Sequence, residues 1–391
     1  MGSPTPAADP NTFMAGDPVV ACADWQTFYF LSAWFDGTKA ISGVSLSKSI
    51  DGGRTFETPI LVVGKPSSNH IVDKGWIAVD PNGPSRLYVV YTDLDFSGSV
   101  CGTAQGSAIP RYAIEALSSP DAGATWSAPV VVAQVCADPA HTFAFVSGAQ
   151  TVVGPSGEIY VAWESFGDAG SIESRAIEIA KSIDGGATFS APATGATPSC
   201  AGDCADWQGL IHSNEYPSLA VGKGPHRGMV YLAWNDGNRQ VSDILTTTGF
   251  YNFTDIMFSR SADSGATWST PVRVNNNPEG PGASLSDQFE PAMATDNTGR
   301  IAIYFYDRRN DRNNFRIDRY CATSPGGLLW TNTRITLQSF PSIVGQDVLV
   351  APDYMGDYDT LAPDFRNHHF GFIDSFANNL SGNPMVSTNS Y

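Results

Sequence analysis

The sequence predicts an all-β fold: a six-bladed β-propeller of four-stranded antiparallel blades, with a conserved-looking turn between the third and fourth strand of each blade. Three observations predict it. A turn motif Ser-x-Asp-x-Gly-x-Thr-Phe/Trp returns along the chain. Runs of β-branched and aromatic residues of strand length recur between its copies. The 38 Gly and 26 Pro are spread through all 391 residues, as in a chain of short strands joined by tight turns.

The motif reads SIDGGRTF at Ser49–Phe56, SPDAGATW at Ser119–Trp126, SIDGGATF at Ser182–Phe189 and SADSGATW at Ser261–Trp268, with a decayed SPGGLLW at Ser324–Trp330. A Pro-containing segment follows each intact copy, and a strand-like run precedes it. A second element reads FYFLSAWFD (28–36), RLYVVYTD (86–93), EIYVAWES (158–165), MVYLAWND (229–236), RIAIYFYD (300–307) and HHFGFID (368–374). A third, such as KGWIAVDPNG or YPSLAVGKG, comes before each of those. Each unit therefore holds four strands, A to D, and a period of this length means radial repetition. One large sandwich is the rival, and recurrence of the turn at one place in every unit argues against it. The blades are expected at about 11–64, 65–135, 136–200, 205–280, 281–340 and 341–391, forming one domain over 11–391. Residues 1–10 read as a cloning scar and the polar head of a mature chain. The last blade is short of one strand, which the N-terminal segment is expected to supply.

Composition limits the function. Charged residues are only 16% and the formal net charge is −17, the wrong sign for a nucleic-acid or anionic-membrane binder. No stretch approaches the ~20 apolar residues of a membrane span, and no signal peptide is present. Six cysteines (22, 101, 136, 200, 204 and 321) lack the clustering of a zinc site and point to at least one disulfide and a secreted or extracellular location. Six cysteines allow 15 pairings, among which sequence does not choose.

The repeated turn has a structural explanation. Asp and Ser side chains accept hydrogen bonds from N–H groups of their own turn, Gly takes the positive-φ position, and the aromatic residue anchors the turn. Asp51, Asp121, Asp184 and Asp263 are accordingly structural. Chemistry belongs on the opposite face, where first strands begin and second strands end. That edge offers Asp17, His70, Asp73, Lys74, His212, Glu215, Tyr216, Asp287, Gln288, Glu290, Tyr354 and Tyr358, with Asp36, Asp93, Glu164, Asn235, Asp236, Asp307, Arg308 and Arg309 at second-strand ends and Arg239 nearby. A concave face of ionisable groups is the default active-site hypothesis. Its carboxylates are of the kind that hold Ca²⁺; no other cofactor is required.

The four intact motifs and the decayed one resemble the Asp boxes of the sialidase (neuraminidase) superfamily, over nearly the whole chain. DKGWIAVD, NEYPSLAV, FYDRRND and YMGDYDTLA are similar to secreted bacterial BNR-repeat, sialidase-like proteins. The resemblance implies a six-bladed propeller acting on carbohydrate: an exo-glycoside hydrolase on terminal sialic acid or a related acidic sugar. It implies Tyr358, or Tyr354 beside it, as nucleophile, Glu215 as its partner and Asp73 as acid/base. Arg239 and either Arg308 or Arg309 match two of the carboxylate-binding arginines, with His70, His212 and Tyr216 lining the site. One departure stands out. The family's first arginine lies in an Arg-Ile-Pro motif in the first blade, where this chain reads AGDPVVACAD with Asp17. A glycan-binding or scaffold propeller, or another glycan-active propeller such as a polysaccharide lyase, is the alternative.

Overall fold

A computed structural model describes residues 12–14, 16–137, 144–168, 173–201, 214–242, 249–278, 285–341, 359–363, 369–374 and 385–390. The chain divides into two compact units, residues 1–194 and 195–391. Both are built of antiparallel sheets, and the described residues contain no α-helix. Among the described residues no helix is long and apolar enough to cross a membrane.

The first unit holds three sheets. In the first, Phe28–Asp36 pairs on one side with Thr12–Met14 and Val19–Cys22, and on the other with Ile41–Ser49, which Ile60–Pro66 follows. The second is a meander of His70–Val79, Leu87–Asp95, Arg111–Ser119 and Val130–Cys136. A small ribbon, Thr103–Ala104 with Ser107–Ala108, interrupts it, and the Cys101–Cys136 disulfide ties that excursion to the last strand. The third contains Phe145–Val153, Ile159–Asp168, Glu173–Ser182 and Ala193–Ala196.

The second unit repeats the plan. Its first sheet contains Ser218–Val221, Val230–Ser242, Phe250–Ser261 and Val272–Arg273. The next contains Gln288–Thr295, Ile301–Asp307, Arg316–Ser324 and Thr331–Arg334, with Phe340–Pro341 also pairing on Arg316–Ser324. The last shows Leu361–Pro363, His369–Asp374 and Met385–Ser390. The strand-completing role expected of the N-terminal segment lies outside the described residues.

The aromatic run Phe28–Asp36 is only partly buried, but the runs at 86–93, 158–165, 229–236 and 300–307 become second strands buried on both faces. That is why they read as continuous apolar stretches rather than alternating ones. Val90, Ile114, Val161 and Trp163 fill one core in the first unit; Tyr231, Ile256, Phe258, Ile303 and Phe305 fill one in the second. Each fully buried aliphatic or Phe side chain contributes roughly 1.5–3 kcal/mol. Trp163 and Trp234 are fully buried, whereas Trp34 remains half-buried.

The four intact repeated turns share one hydrogen-bond pattern. Ser49 Oγ donates to Asp51 Oδ1 (2.8 Å) and accepts from Gly53 N (3.0 Å), while Asp51 accepts from Thr55 N (2.9 Å) and Thr55 Oγ1 (2.6 Å). Asp121, Asp184 and Asp263 repeat it. The Thr hydroxyl and N–H bonds hold the Asp184 and Asp263 carboxyls down to about 2. In the decayed copy Ser324 Oγ still accepts from Gly327 N (2.8 Å), so the turn persists without its Asp.

Candidate functional site

An antiparallel meander sorts its ends. The start of the first strand, the end of the second and the start of the third share one edge of a sheet; the repeated turns occupy the other. Those candidate residues that are described lie at or beside the first edge.

The first strands also begin in an unusual way. Their pairing slips at Asp73/Trp76, Ser147/Gln150 and Phe289/Ala292. Within those bulges Lys74 (φ 54°), Gly148 (φ 67°) and Glu290 (φ 51°) are left-handed, as is Asp17 (φ 50°) just before Val19–Cys22. A non-Gly residue in that region is strained by roughly 1–3 kcal/mol, and bulges re-aim side chains. Sequence reasoning missed this feature. No local signal announces it: Asp17 and Glu290 both precede Pro, which favours extended backbone.

In the first unit, Asp73 and Asp17 come together. Their carboxyls hydrogen-bond each other, and Lys74 Nζ lies 3.9 Å from Asp17 Oδ2. Burial pushes the Asp17 carboxyl up; Lys74 pulls it down and Asp73 pushes it up again, leaving it at about 6. Asp73 Oδ1 also accepts the N–H of Lys74 (2.9 Å).

His70 joins a different cluster. Its Nδ1 is 2.9 Å from Asp93 Oδ1 and its Nε2 3.7 Å from Asp95 Oδ1. Lys65, from the preceding sheet, places Nζ 2.7 Å from both Asp93 and Glu115. Arg111 reaches the same two carboxylates, and Tyr91 donates to Glu115. Burial pushes Glu115 up, but the Lys65 and Tyr91 hydrogen bonds win and hold it low. Asp93 is fully buried. Removing one member of such a network leaves an uncompensated buried charge, at roughly 3–5 kcal/mol. A groove of about 710 Å³ also opens in this unit, lined by Val131, Val132, Val135, Val146 and Glu178 among others; none of the sequence-predicted site residues lines it.

In the second unit, Glu215 is 1% exposed and its Oε1 accepts Ala201 N at 2.8 Å. Residues 199–201 are fastened nearby: Ser199 N donates to Asp236 Oδ1 (3.0 Å), Gly237 N to Ser199 O (3.0 Å) and Asn252 Nδ2 to Cys200 O (2.9 Å). Burial pushes Asp236 up, against the Ser199 hydrogen bond. Cys200 is disulfide-bonded to a partner outside the described residues. Tyr216 follows Glu215 and is buried.

The three expected arginines each meet a protein carboxylate. Arg239 Nε is 3.1 Å from Asp255, and its Nη2 donates to Thr254 O and Ser286 O. Arg308, with no exposed surface, lies 3.5 Å from Asp287, which also accepts from Tyr251 (2.7 Å) and Asn314 (2.5 Å). Arg309 pairs with Asp307 (2.6 Å), donates to Asn276 and covers the Tyr320 ring. Arg319, which the sequence did not single out, is buried over Tyr306 and paired with Asp359. Tyr354, Tyr358 and His212 lie outside the described residues. Among the described residues no group of three or more His, Cys, Asp or Glu is placed to hold a metal ion.

No protein-family model and no curated protein matches the sequence. Solved structures do match in fold. An intramolecular trans-sialidase from Ruminococcus gnavus, in complex with oseltamivir carboxylate, aligns over 100% of this chain and 98% of its own at 13% identity and TM-score 0.54. An α-L-arabinofuranosidase from Fusarium graminearum aligns over 98% and 94% at 11% identity and TM-score 0.52. A Hadza microbial sialidase aligns over 91% of this chain at 15% identity and TM-score 0.53; the chain spans 62% of that protein's length. The all-β architecture of antiparallel four-stranded sheets is thus one that glycoside hydrolases use. The chain has the sialidase-type fold.

Proposed function

We propose that this chain is a glycoside hydrolase of sialidase type that removes a terminal acidic sugar from glycoconjugates. The reading takes the sheets as six blades of one closed propeller over residues 11–391. Glu215 carries it: a buried carboxylate at the start of a first strand, fixed by a main-chain N–H, in the sheet that also bears Arg239. Arg239 keeps Nη1 without a partner among the described residues, and a substrate carboxylate would meet it there. Arg308 and Arg309 enter through the carboxylates that they hold in place, and His70, His212 and Tyr216 line the sugar.

In this reading Tyr358 attacks the anomeric carbon as Glu215 takes its phenolic proton. The bond to the aglycone oxygen breaks, and Asp73 gives that oxygen a proton. A phenol meets an anionic sugar without the charge clash of a carboxylate nucleophile. Water, deprotonated by Asp73, then frees the sugar from the tyrosine, and Glu215 returns the proton. Burial keeps a proton on Asp17, the hydrogen-bond neighbour of Asp73, in mildly acidic solution. The Cys101–Cys136 disulfide fits an extracellular setting.

A second reading, hydrolysis of a neutral sugar, is favoured by one observation: each expected arginine already holds a carboxylate of the protein. Hydrolysis of fluorogenic sialosides and neutral glycosides tests both. Sialoside turnover lost in Glu215→Ala and Tyr358→Phe supports the first reading. Turnover of neutral glycosides alone supports the second, and turnover of neither class removes both.

A further inference from the structure

Asn235 and Glu290 carry an inference beyond this division of roles, though it rests on a carbohydrate substrate. Asn235 ends the apolar run of Val230–Ser242 and is 1% exposed. Its Oδ1 accepts Glu290 N at 3.4 Å, across from the neighbouring sheet. Its Nδ2 has no hydrogen-bond partner among the described residues. A buried amide donor left unspent is costly, and buried polar groups are paired in the great majority of cases. The Oδ1 serves the fold by holding Glu290 N, but no described residue uses the Nδ2 donor.

The groups around this donor are those of a sugar site. Glu290 is buried and left-handed ahead of Pro291, so its carboxylate is held where the bulge aims it. On the other side, Ser218–Val221 pairs with the strand that leads to Asn235, and Glu215 and Tyr216 come just before Ser218 in the chain. One amide donor and one carboxylate acceptor, presented from adjoining sheets, match two neighbouring sugar hydroxyls: one accepts from the amide, and the other donates to the carboxylate. The unspent donor also excludes ligands lacking that hydroxyl, because binding them would leave it buried and unpaired.

We infer that Asn235 and Glu290 form a hydroxyl-recognition subsite, with Asn235 Nδ2 donating to one hydroxyl of a bound sugar and the Glu290 carboxylate accepting from its neighbour. The test is calorimetric titration of wild type, Asn235→Leu and Glu290→Gln with N-acetylneuraminic acid, D-galactose and L-arabinose, alongside thermal unfolding. At least one sugar binds wild type and binds each variant about 10- to 100-fold more weakly. Asn235→Leu leaves Glu290 N without its acceptor and unfolds at a lower temperature; cooperative unfolding of each variant above the titration temperature shows that weaker binding is not lost folding. Equal binding by wild type and both variants overturns the inference, as does binding of no sugar at all. Failure of hydrolysis alone counts against the catalytic assignment and leaves this subsite standing.

Discussion

Gly237→Ala tests how the Glu215 region is held. A Cβ at Gly237 would lie 1.9 Å from Cys200 O, 2.7 Å from Cys200 C and 2.9 Å from Asn252 Cβ. Backbone cannot swing aside as the end of a long side chain can. Residues 199–201 must move by more than an ångström, and the Gly237 N to Ser199 O hydrogen bond goes with them. Overpacking costs about 1–3 kcal/mol and a lost hydrogen bond about 1 kcal/mol more. For a unit of this size that lowers Tm by about 5–10 °C. The moved segment carries Ala201 N, which fixes Glu215, and a misplacement of about 1 Å costs about 100-fold in turnover. Circular-dichroism melting and glycoside hydrolysis read the two effects. Gly167→Ala, whose Cβ would meet only Ser174 Oγ at 3.7 Å, is the matched control. A Gly237→Ala protein with unchanged Tm would refute the docking of residues 199–201.

Other outcomes follow from single groups. The folded Asp17 carboxyl, at about 6, stands above its unfolded value; its contribution is full below about pH 4 and lost as pH rises through about 6. Asp17→Asn abolishes that loss, at most about 3 kcal/mol for a shift of roughly two units, in unfolding titrations between pH 4 and 8. Asp263 behaves oppositely: its carboxyl is depressed to about 2, so its contribution is present above about pH 4 and disappears as pH falls through about 2. Asp263→Asn therefore flattens the acid limb of the stability curve. The Cys101–Cys136 bridge spans a sequence separation of 35; replacing both cysteines by Ser costs about 3–4 kcal/mol by loop entropy, read as a lower denaturation midpoint in urea.

The strands were legible because their determinants are local. MVYLAWND and RIAIYFYD are apolar enough to be buried on both faces, and Ser-x-Asp-x-Gly-x-Thr closes its hydrogen bonds within seven residues. The ionisable edge was legible in outline for the same reason: strand order puts Asp73, Glu215 and Arg239 there. The partners of those groups were not. Lys65 belongs to one sheet and Asp93 to the next, and nothing in either segment names the other. The pairing of Arg308 with Asp287 and of Arg309 with Asp307 likewise depends on packing. Glu290 was visible only as one acid among many, because its left-handed backbone and its contact with Asn235 arise between sheets.

The central claim is that a tyrosine nucleophile, served by Glu215, cleaves a terminal acidic sugar. Proton NMR of sialyllactose incubated with the protein tests it most directly, because two successive displacements preserve the anomeric configuration. The account predicts free sialic acid appearing first as the α anomer and only later equilibrating, with no release by Glu215→Ala. First appearance of the β anomer, or release by Glu215→Ala at the wild-type rate, would contradict it.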